Sequence, residues 1–162
     1  MGVEMMDNVS KELKRYNYLF GETGAAYHEM YLKLGMSDSA GMILYAILES
    51  GDRRLLKEIC HFTGLNKQTI NSAIRKLEAE GIVYLEMAGA KNKVVCLTEK
   101  GKKLAERTAG RVLQAENEIF ASWAQEDVEK YLELTEKFLQ ALKEKAKVIQ
   151  GGNNNADYNN QP

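Results

Sequence analysis

The residues best suited to specific chemistry lie in one short stretch, LNKQTINSAIRKLEAEG, residues 65–81. Its apolar side chains recur at i, i+3, i+4 and i+7, the spacing of a helix that buries one face; they are Ile70, Ala73, Ile74 and Leu77. The other face carries Gln, Thr, Asn and Ser, which are poorer helix formers than Glu or Lys but have hydrogen-bonding side chains. The stretch therefore predicts a helix whose exposed face makes specific hydrogen bonds.

Amide and guanidinium groups can form paired hydrogen bonds with the edges of DNA bases. In the major groove Asn and Gln match adenine and Arg matches guanine, whereas Ser and Thr are tolerant. We therefore predict base readout by Gln68, Asn71 and Arg75. The other polar residues of this face are suited to phosphate contacts, which fix register without reading sequence; they are Lys67, Thr69, Ser72 and Lys76.

The charge distribution along the 162 residues agrees with a nucleic-acid partner. Residues 53–111 hold 13 Lys or Arg against 6 Asp or Glu, a net charge of +7, whereas residues 1–52 and residues 112–162 each carry −4. A basic middle between acidic flanks is typical of a nucleic-acid surface on a scaffold that has another purpose. The predicted partner is double-stranded DNA.

The elements around this helix are those that would present it to DNA. LLKEICHFTG predicts a helix of about two turns that ends at Gly64, and Asn66 is suited to cap the next helix. Two short helices around a Gly-containing turn indicate a helix-turn-helix. After Gly81, IVYLEMA and VVCLT flank GAKNK, which predicts a β-hairpin, or wing. We expect further DNA contacts from its tip, at Lys91, Asn92 and Lys93.

Longer helices are predicted on both sides of this region. An apolar stripe from residue 10 to 34 indicates one helix, which Gly21 and Gly24 could kink or break, and a second runs from a Ser37 cap to Gly51. After the wing, Thr98 should cap a helix that continues to about residue 119, and a last helix begins near Ala124. The stripes on the terminal helices exceed what a small domain can cover, which favours a symmetric dimer; an intrachain bundle is the alternative.

The predicted fold class is mainly α with a small β-hairpin wing: a winged helix-turn-helix plus terminal dimerisation helices. The corresponding division is an N-terminal dimerisation helix in residues 1–36, a DNA-binding domain in 37–98, C-terminal dimerisation helices in 99–147 and a tail in 148–162. The tail, which ends GGNNNADYNNQP, is poor in apolar residues and is predicted to be disordered.

With its elements in this order, the chain resembles the multiple-antibiotic-resistance regulator (MarR) family of bacterial winged-helix repressors over residues 10–147. The most specific part is GLNKQTINSAIRKLEAEGIV, followed after the wing by VVCLTEKGKKL. The resemblance implies a homodimer that binds a palindromic operator, and often one that releases DNA when a small molecule, oxidant or metal binds between the dimerisation and DNA-binding regions.

The wing departs from the family pattern. Many members carry Asp-Arg-Arg at its tip, whereas the matching residues here are Gly89, Ala90 and Lys91, and Ser72 stands where many relatives have Arg. Lysine lacks the planar fork of arginine and is more strongly hydrated, so it is a weaker minor-groove contact. This departure leaves open a competing class, a winged-helix adaptor that binds proteins and has lost DNA binding.

A set of aromatic residues lies in the helices that line the effector cleft in the family. Core packing is one interpretation of them; a site for a small apolar or phenolic effector is the other. The set comprises Tyr16, Phe20, Tyr27, Tyr31 and Tyr45.

Other kinds of site find little support. Cys60 and His61 are adjacent, so their side chains diverge by about 100° on a helix and do not readily share an ion, and His28 is far from both. With no Gly-rich phosphate loop, HExxH or nucleophile elbow, neither an enzyme nor a metal or other cofactor is predicted. No apolar run approaches the about 20 residues of a membrane span and the N-terminus lacks a secretory core, so a cytoplasmic location is expected.

Overall fold

The computed structural model describes residues 9–149, which form seven helices and three strands. In chain order these are α1 (Lys11–Lys33), α2 (Asp38–Glu49), β1 (Arg53–Leu55), α3 (Leu56–Thr63), α4 (Lys67–Ala79), β2 (Val83–Ala88), β3 (Asn92–Leu97), α5 (Glu99–Arg107), α6 (Ala109–Ser122) and α7 (Gln125–Val148). The chain divides into two compact units, one ending at Asn117 and the other beginning at Glu118. This division differs from the functional one expected from the sequence, whose boundaries follow residues 36, 98 and 147.

Helix α1 continues through both glycines that could have broken it. The Ser10 hydroxyl caps it by accepting a hydrogen bond of 3.0 Å from the Leu13 amide. Each glycine costs about 1 kcal/mol relative to alanine, a cost that a helix of 23 residues absorbs. The helix ends where Gly35 adopts a φ of +71°, and Ser37 caps α2 as predicted.

The core of the first unit forms where α2, α3 and α4 pack on the sheet. Strand β3 is central and pairs with β1 and β2, both antiparallel, so the extended piece at Arg53–Leu55 and the wing belong to one sheet. Fully buried side chains come from all three helices and from two of the strands; they include Ile43, Leu44 and Ile47 of α2, Ile59 of α3, Ile70 of α4, Val83 of β2 and Val95 of β3. The core holds α4 by its apolar face.

The LTEKG sequence joins the end of the wing to the end of α4. The Thr98 amide donates to the Ile82 carbonyl at 3.0 Å, and its hydroxyl donates to the Gly81 carbonyl at 2.6 Å. The same hydroxyl accepts from the Gly101 amide at 2.9 Å and so caps α5. A Cβ on Gly101 would lie 1.9 Å from the Ile82 carbonyl oxygen, so only glycine permits this approach. The α4 sequence that ends at Gly81 and the LTEKG sequence after the wing therefore occur together because they contact each other directly.

The helix predicted to run unbroken from Thr98 to residue 119 is two helices, and the prediction was wrong on this point. Thr108 separates α5 from α6, with φ −120° and ψ −89°, well outside helical values. Its side chain is buried, and its hydroxyl donates to the Leu104 carbonyl at 2.6 Å. A buried threonine that bonds the preceding turn competes with the backbone ladder, which accounts for the break.

The second unit contains the end of α6 and all of α7. Phe120, Trp123 and Tyr131 form an aromatic cluster, with ring centroids 5.4–6.2 Å apart. No residue of α7 is buried, and its apolar residues are about half exposed. Val148 still belongs to α7, and residues 150–162 of the predicted tail lie outside the described residues. Within residues 9–149, no helix is long and apolar enough to cross a membrane.

Candidate nucleic-acid interface

Helix α4 adopts the orientation that its periodicity predicts. Gly64, with a φ of +66°, ends α3, and the Asn66 side chain accepts a 2.8 Å hydrogen bond from the Thr69 amide to cap α4. Of the predicted apolar stripe, Ile70, Ile74 and Leu77 are buried and Ala73 is half-buried. The buried face is therefore confirmed, and the polar face is turned outward.

The outward face has a centre and two flanks. Six of its polar residues are exposed, and Asn71 is half-buried. At about 100° per residue, Gln68, Ser72 and Arg75 project from the centre of this face. Lys67 and Asn71 lie on one flank, and Thr69 and Lys76 lie on the other. A helix seated in a major groove turns its centre to the bases and its flanks to the phosphates.

One flank opens onto a groove between α4, the start of α3 and the wing, which we call the lysine groove. It has a volume of about 530 Å³. Its polar lining comprises Lys57, Lys67, Asn71, Lys91, Asn92 and Lys93. All three wing residues predicted to contact DNA thus lie beside two of the α4 residues. Four ammonium groups around one groove make a strongly positive surface suited to a phosphate backbone.

Lys57 was not predicted from the sequence. It is the second residue of α3, a helix that the sequence assigned only a supporting role, and its membership of the basic segment was the one available signal. The structure brings it to the groove because β1 places the start of α3 beside the wing strand β3.

The other flank faces a recess of about 610 Å³ beside the start of α2. Gln68, Thr69, Ser72 and Lys76 line it together with Ser37 and Ser39. The first amides of a helix have no intrahelical partner and attract anions. Both flanks of α4 therefore offer groups suited to phosphate, on opposite sides of the centre of its outward face.

A second site lies in the first unit, between α1, α2, α3 and the middle of α6. This aromatic cavity has a volume of about 370 Å³, within the range of small-molecule sites. Its lining is Gly24, Tyr27, His28, Tyr31, Asp38, Met42, Tyr45, Phe62 and Glu116. Three of the five predicted effector residues line this cavity, namely Tyr27, Tyr31 and Tyr45. Tyr16 and Phe20 do not; their rings stack on each other, 5.9 Å apart and exposed.

Glu116 organises the polar groups of the aromatic cavity. Its two carboxylate oxygens accept hydrogen bonds from the hydroxyls of Tyr27 and Tyr45. Burial, then Glu116 and Asp38, raises the pKa of Tyr31 to about 12, and burial with the Glu116 hydrogen bond raises the pKa of Tyr45 further. Glu116 was not predicted from the sequence, because it lies 71 positions after Tyr45 in the chain. His28 Nδ1 lies 2.8 Å from Asp38 Oδ2.

The cysteines do not form a site with these residues. Cys60 is half-buried against the core and Cys96 is buried, and both are free thiols. Across residues 9–149, no three His, Cys, Asp or Glu side chains are close enough together to hold a metal ion.

A helix-turn-helix followed by an antiparallel wing, with the second helix turned outward, defines the chain as a winged helix-turn-helix protein. Residues 34–90 match the sequence model of the MarR family. The match spans α2 to β2, so the chain resembles the MarR family in this region.

Individual proteins resemble the chain over a larger part of its length. The HTH-type transcriptional regulator YwoH of Bacillus subtilis, itself uncharacterised, is 29% identical over 114 residues, which cover 70% of this chain and 82% of YwoH. The structure of NMB1585, a MarR family regulator from Neisseria meningitidis, superposes with a TM-score of 0.75 at 15% identity, covering 85% of this chain and 98% of that one. For Sco3205 from Streptomyces coelicolor, solved in complex with DNA, the TM-score is 0.63 at 19% identity, with coverages of 83% and 90%.

Proposed function

We propose that the chain is a homodimeric, sequence-specific DNA-binding repressor. It acts in the cytoplasm, where bacterial DNA lies, and releases a palindromic operator when a small effector enters the aromatic cavity. The observation that carries the proposal is the outward face of α4, where Gln68, Ser72 and Arg75 lie between two flanks whose groups are suited to phosphate. The capture of DNA by Sco3205, which has the same fold, supports it.

The terminal helices support the dimer. On α7, Leu132, Leu139 and Leu142 are 45–54% exposed, and on α1 Leu13 and Leu19 are 45% and 52% exposed. Apolar stripes of this length mark an interface, and a second copy of the chain offers the same stripes for a self-complementary contact. Two copies would place two α4 helices on two half-sites, which accounts for a palindromic operator.

The position of the aromatic cavity supports effector control. Phe62 belongs to α3, the first helix of the helix-turn-helix, and Gly64 and the Asn66 cap of α4 follow it closely. The ring of Phe62 stacks on Tyr45 of α2, with centroids 5.9 Å apart. A ligand that prefers one placement of these rings therefore has a short path to α4, and differential affinity is all that release of DNA requires.

A gel shift with the DNA upstream of the chain's own gene tests the proposal. We expect one retarded species that a palindromic competitor removes and a scrambled duplex of equal length does not. Equal competition by the two duplexes, or no retardation at low salt, contradicts the proposal and favours the adaptor class. A matched variant, Glu136→Gln on α7, lies far from α4 in sequence and should bind like the unmodified chain.

A further inference from the structure

Most of the polar groups that face the aromatic cavity are hydrogen-bond acceptors, and the Tyr31 hydroxyl and the His28 ring are the exceptions. The hydroxyls of Tyr27 and Tyr45 both donate their hydrogens to Glu116, so these hydrogens are not available to a ligand. Each Glu116 oxygen has accepted one hydrogen bond and has room for another. A ligand carboxylate or phenolate would meet oxygen lone pairs here, whereas a cationic group would meet negative charge.

The lining of the aromatic cavity carries a net negative charge whether His28 is neutral or protonated. Glu116 and Asp38 are the acidic lining residues, and His28 pairs with Asp38. With His28 neutral the two carboxylates are uncompensated, and with His28 protonated Glu116 still is. Among the described residues that line the cavity there is no lysine or arginine.

Arg54 is a cation that contacts one ring of the lining, and it is engaged with groups outside the cavity. Its guanidinium lies 4.6 Å from the ring centroid of Phe62, outside the cavity lining. It pairs with Glu49 at 2.7 Å and lies 3.9 Å from Glu58. These two carboxylates offset the positive charge of Arg54, so Arg54 does not neutralise the cavity lining.

The apolar part of the lining suits a cation that has an apolar body. The rings of Tyr27, Tyr31, Tyr45 and Phe62 surround the space and Met42 adds a polarisable side chain. Aromatic faces attract ammonium groups, most strongly where water is excluded, and several rings around one site are the usual cage for quaternary ammonium.

We propose that the aromatic cavity binds an organic cation with an aromatic or branched apolar body. The inference rests on the proposed effector site and names the ligand class of that site. It differs from the small apolar or phenolic effector that the sequence left open beside core packing, because an anionic phenolate would face the negative charge of Glu116.

Isothermal titration of the full chain with three small ligands at constant ionic strength tests the inference. Phenyltrimethylammonium is the cation, N,N-dimethylaniline is its near-isosteric neutral counterpart, and benzenesulfonate is an anion of similar size. We expect the cation to bind at least about tenfold more tightly than either of the others, because charge attraction and ring contacts both favour it. Equal or tighter binding of benzenesulfonate, or no detectable binding of the cation at millimolar concentration, overturns the inference.

Substitutions locate the effect. Glu116→Gln removes the charge and replaces one acceptor oxygen by an NH2 donor, so it should weaken binding of the cation by about tenfold and that of N,N-dimethylaniline much less. Glu106→Gln, on the exposed side of α5, removes the same charge outside the cavity and should leave both affinities unchanged. If Glu116→Gln does not fold, Asp38→Asn should still weaken the cation by a smaller factor. Equal losses in Glu106→Gln, or none in either cavity variant, overturn the assignment.

A parallel gel shift separates this inference from the proposed function. The ligand titrations use the protein without DNA, so their outcome does not depend on operator binding. Operator binding with no preference for the cation contradicts only the ligand class. Failure to bind the operator contradicts the proposed function. In that case the titrations without DNA still decide whether the cavity prefers the cation. Release of the operator by phenyltrimethylammonium and not by benzenesulfonate agrees with both.

Discussion

Replacing Lys91 and Lys93 by Ala should weaken binding to operator and to scrambled DNA alike. Both lysines are exposed on the wing and line the lysine groove beside Lys57 and Lys67. A lysine ammonium is a point charge that matches phosphate and distinguishes poorly between base edges. The double variant should therefore lose affinity without losing preference for the operator.

The size of the effect appears in the salt dependence. Each phosphate neutralised on duplex DNA contributes about 0.9 to the slope of log affinity against log salt concentration. If each wing lysine neutralises one phosphate, a dimer loses four contacts, and the slope should fall by about 3 to 4 units. Lys57→Ala, on the same groove, should lower the slope by about 2 more, because a dimer carries two copies.

Substitutions at the centre of α4 should do the reverse. Gln68→Ala removes no charge, so the salt slope should stay the same while operator affinity falls by about 1 to 3 kcal/mol and preference at one base pair disappears. Arg75→Ala should cost a similar amount and flatten preference at another position. Asn71 was predicted to read bases, but it is half-buried beside the lysine groove. Asn71→Ala should flatten base preference if Asn71 contacts a base, and should weaken binding to all sequences alike if it contacts a phosphate.

Competition binding of fluorescent operator against unlabelled operator and scrambled duplex, at four or more salt concentrations, measures both quantities at once. Glu106→Gln serves as the control for a charge change away from α4 and the wing. The assignment is refuted if the wing lysines alter base preference while Gln68→Ala and Arg75→Ala leave it unchanged. An unchanged salt slope in the double lysine variant would remove the wing from the phosphate contacts.

Three further predictions concern assembly and stability. The full chain should sediment as a dimer at micromolar concentration, and Leu132→Lys with Leu139→Lys should give a monomer, because both leucines lie on the exposed stripe of α7. Gly101→Ala should lower the free energy of unfolding in urea denaturation by at least about 1 to 3 kcal/mol, because its Cβ would collide with the Ile82 carbonyl. Gly21→Ala is the control and should not lower it, because among the described residues no atom beyond its chain neighbours and the backbone of its own helix lies within 4 Å of the added Cβ. Stability should fall as pH rises from 10.0 to about 12, because the unfolded chain ionises Tyr31 first, and Tyr31→Phe should lessen that fall in urea titrations at stepped pH.

The features that the sequence predicted well are those set by local physics. The buried stripe of α4 follows from apolar spacing, and the Asn66 and Thr98 caps follow from side chains that satisfy free amides. The wing follows from two β-branched runs around Gly89, whose φ is +75°. Each depends on residues within a few positions of one another, so a single sequence is enough.

The features that were missed depend on contacts between distant parts of the chain. Thr108 breaks the helix because its hydroxyl is buried, and burial is set by the packing of α5 on α2 and β3. Lys57 reaches the lysine groove through the pairing of β1 with β3. Glu116 joins the aromatic cavity only because α6 returns to α1 and α2. The spacing of apolar residues along the sequence carries no information about any of these long-range contacts.

The same distant contacts connect the two sites of the first unit. Tyr45 donates its hydroxyl hydrogen to Glu116 and stacks on Phe62, so one side chain of α2 touches both the charged group of the aromatic cavity and the helix that precedes α4. A cation that draws Glu116 toward itself would lengthen the bond to Tyr45 and free that ring to move. Tyr45→Phe keeps the stack on Phe62 and removes the hydrogen bond. The variant should therefore bind the operator normally but respond less to a cationic ligand in the gel shift; an unaltered response would show that the coupling passes through the packing of the ring instead of through its hydroxyl.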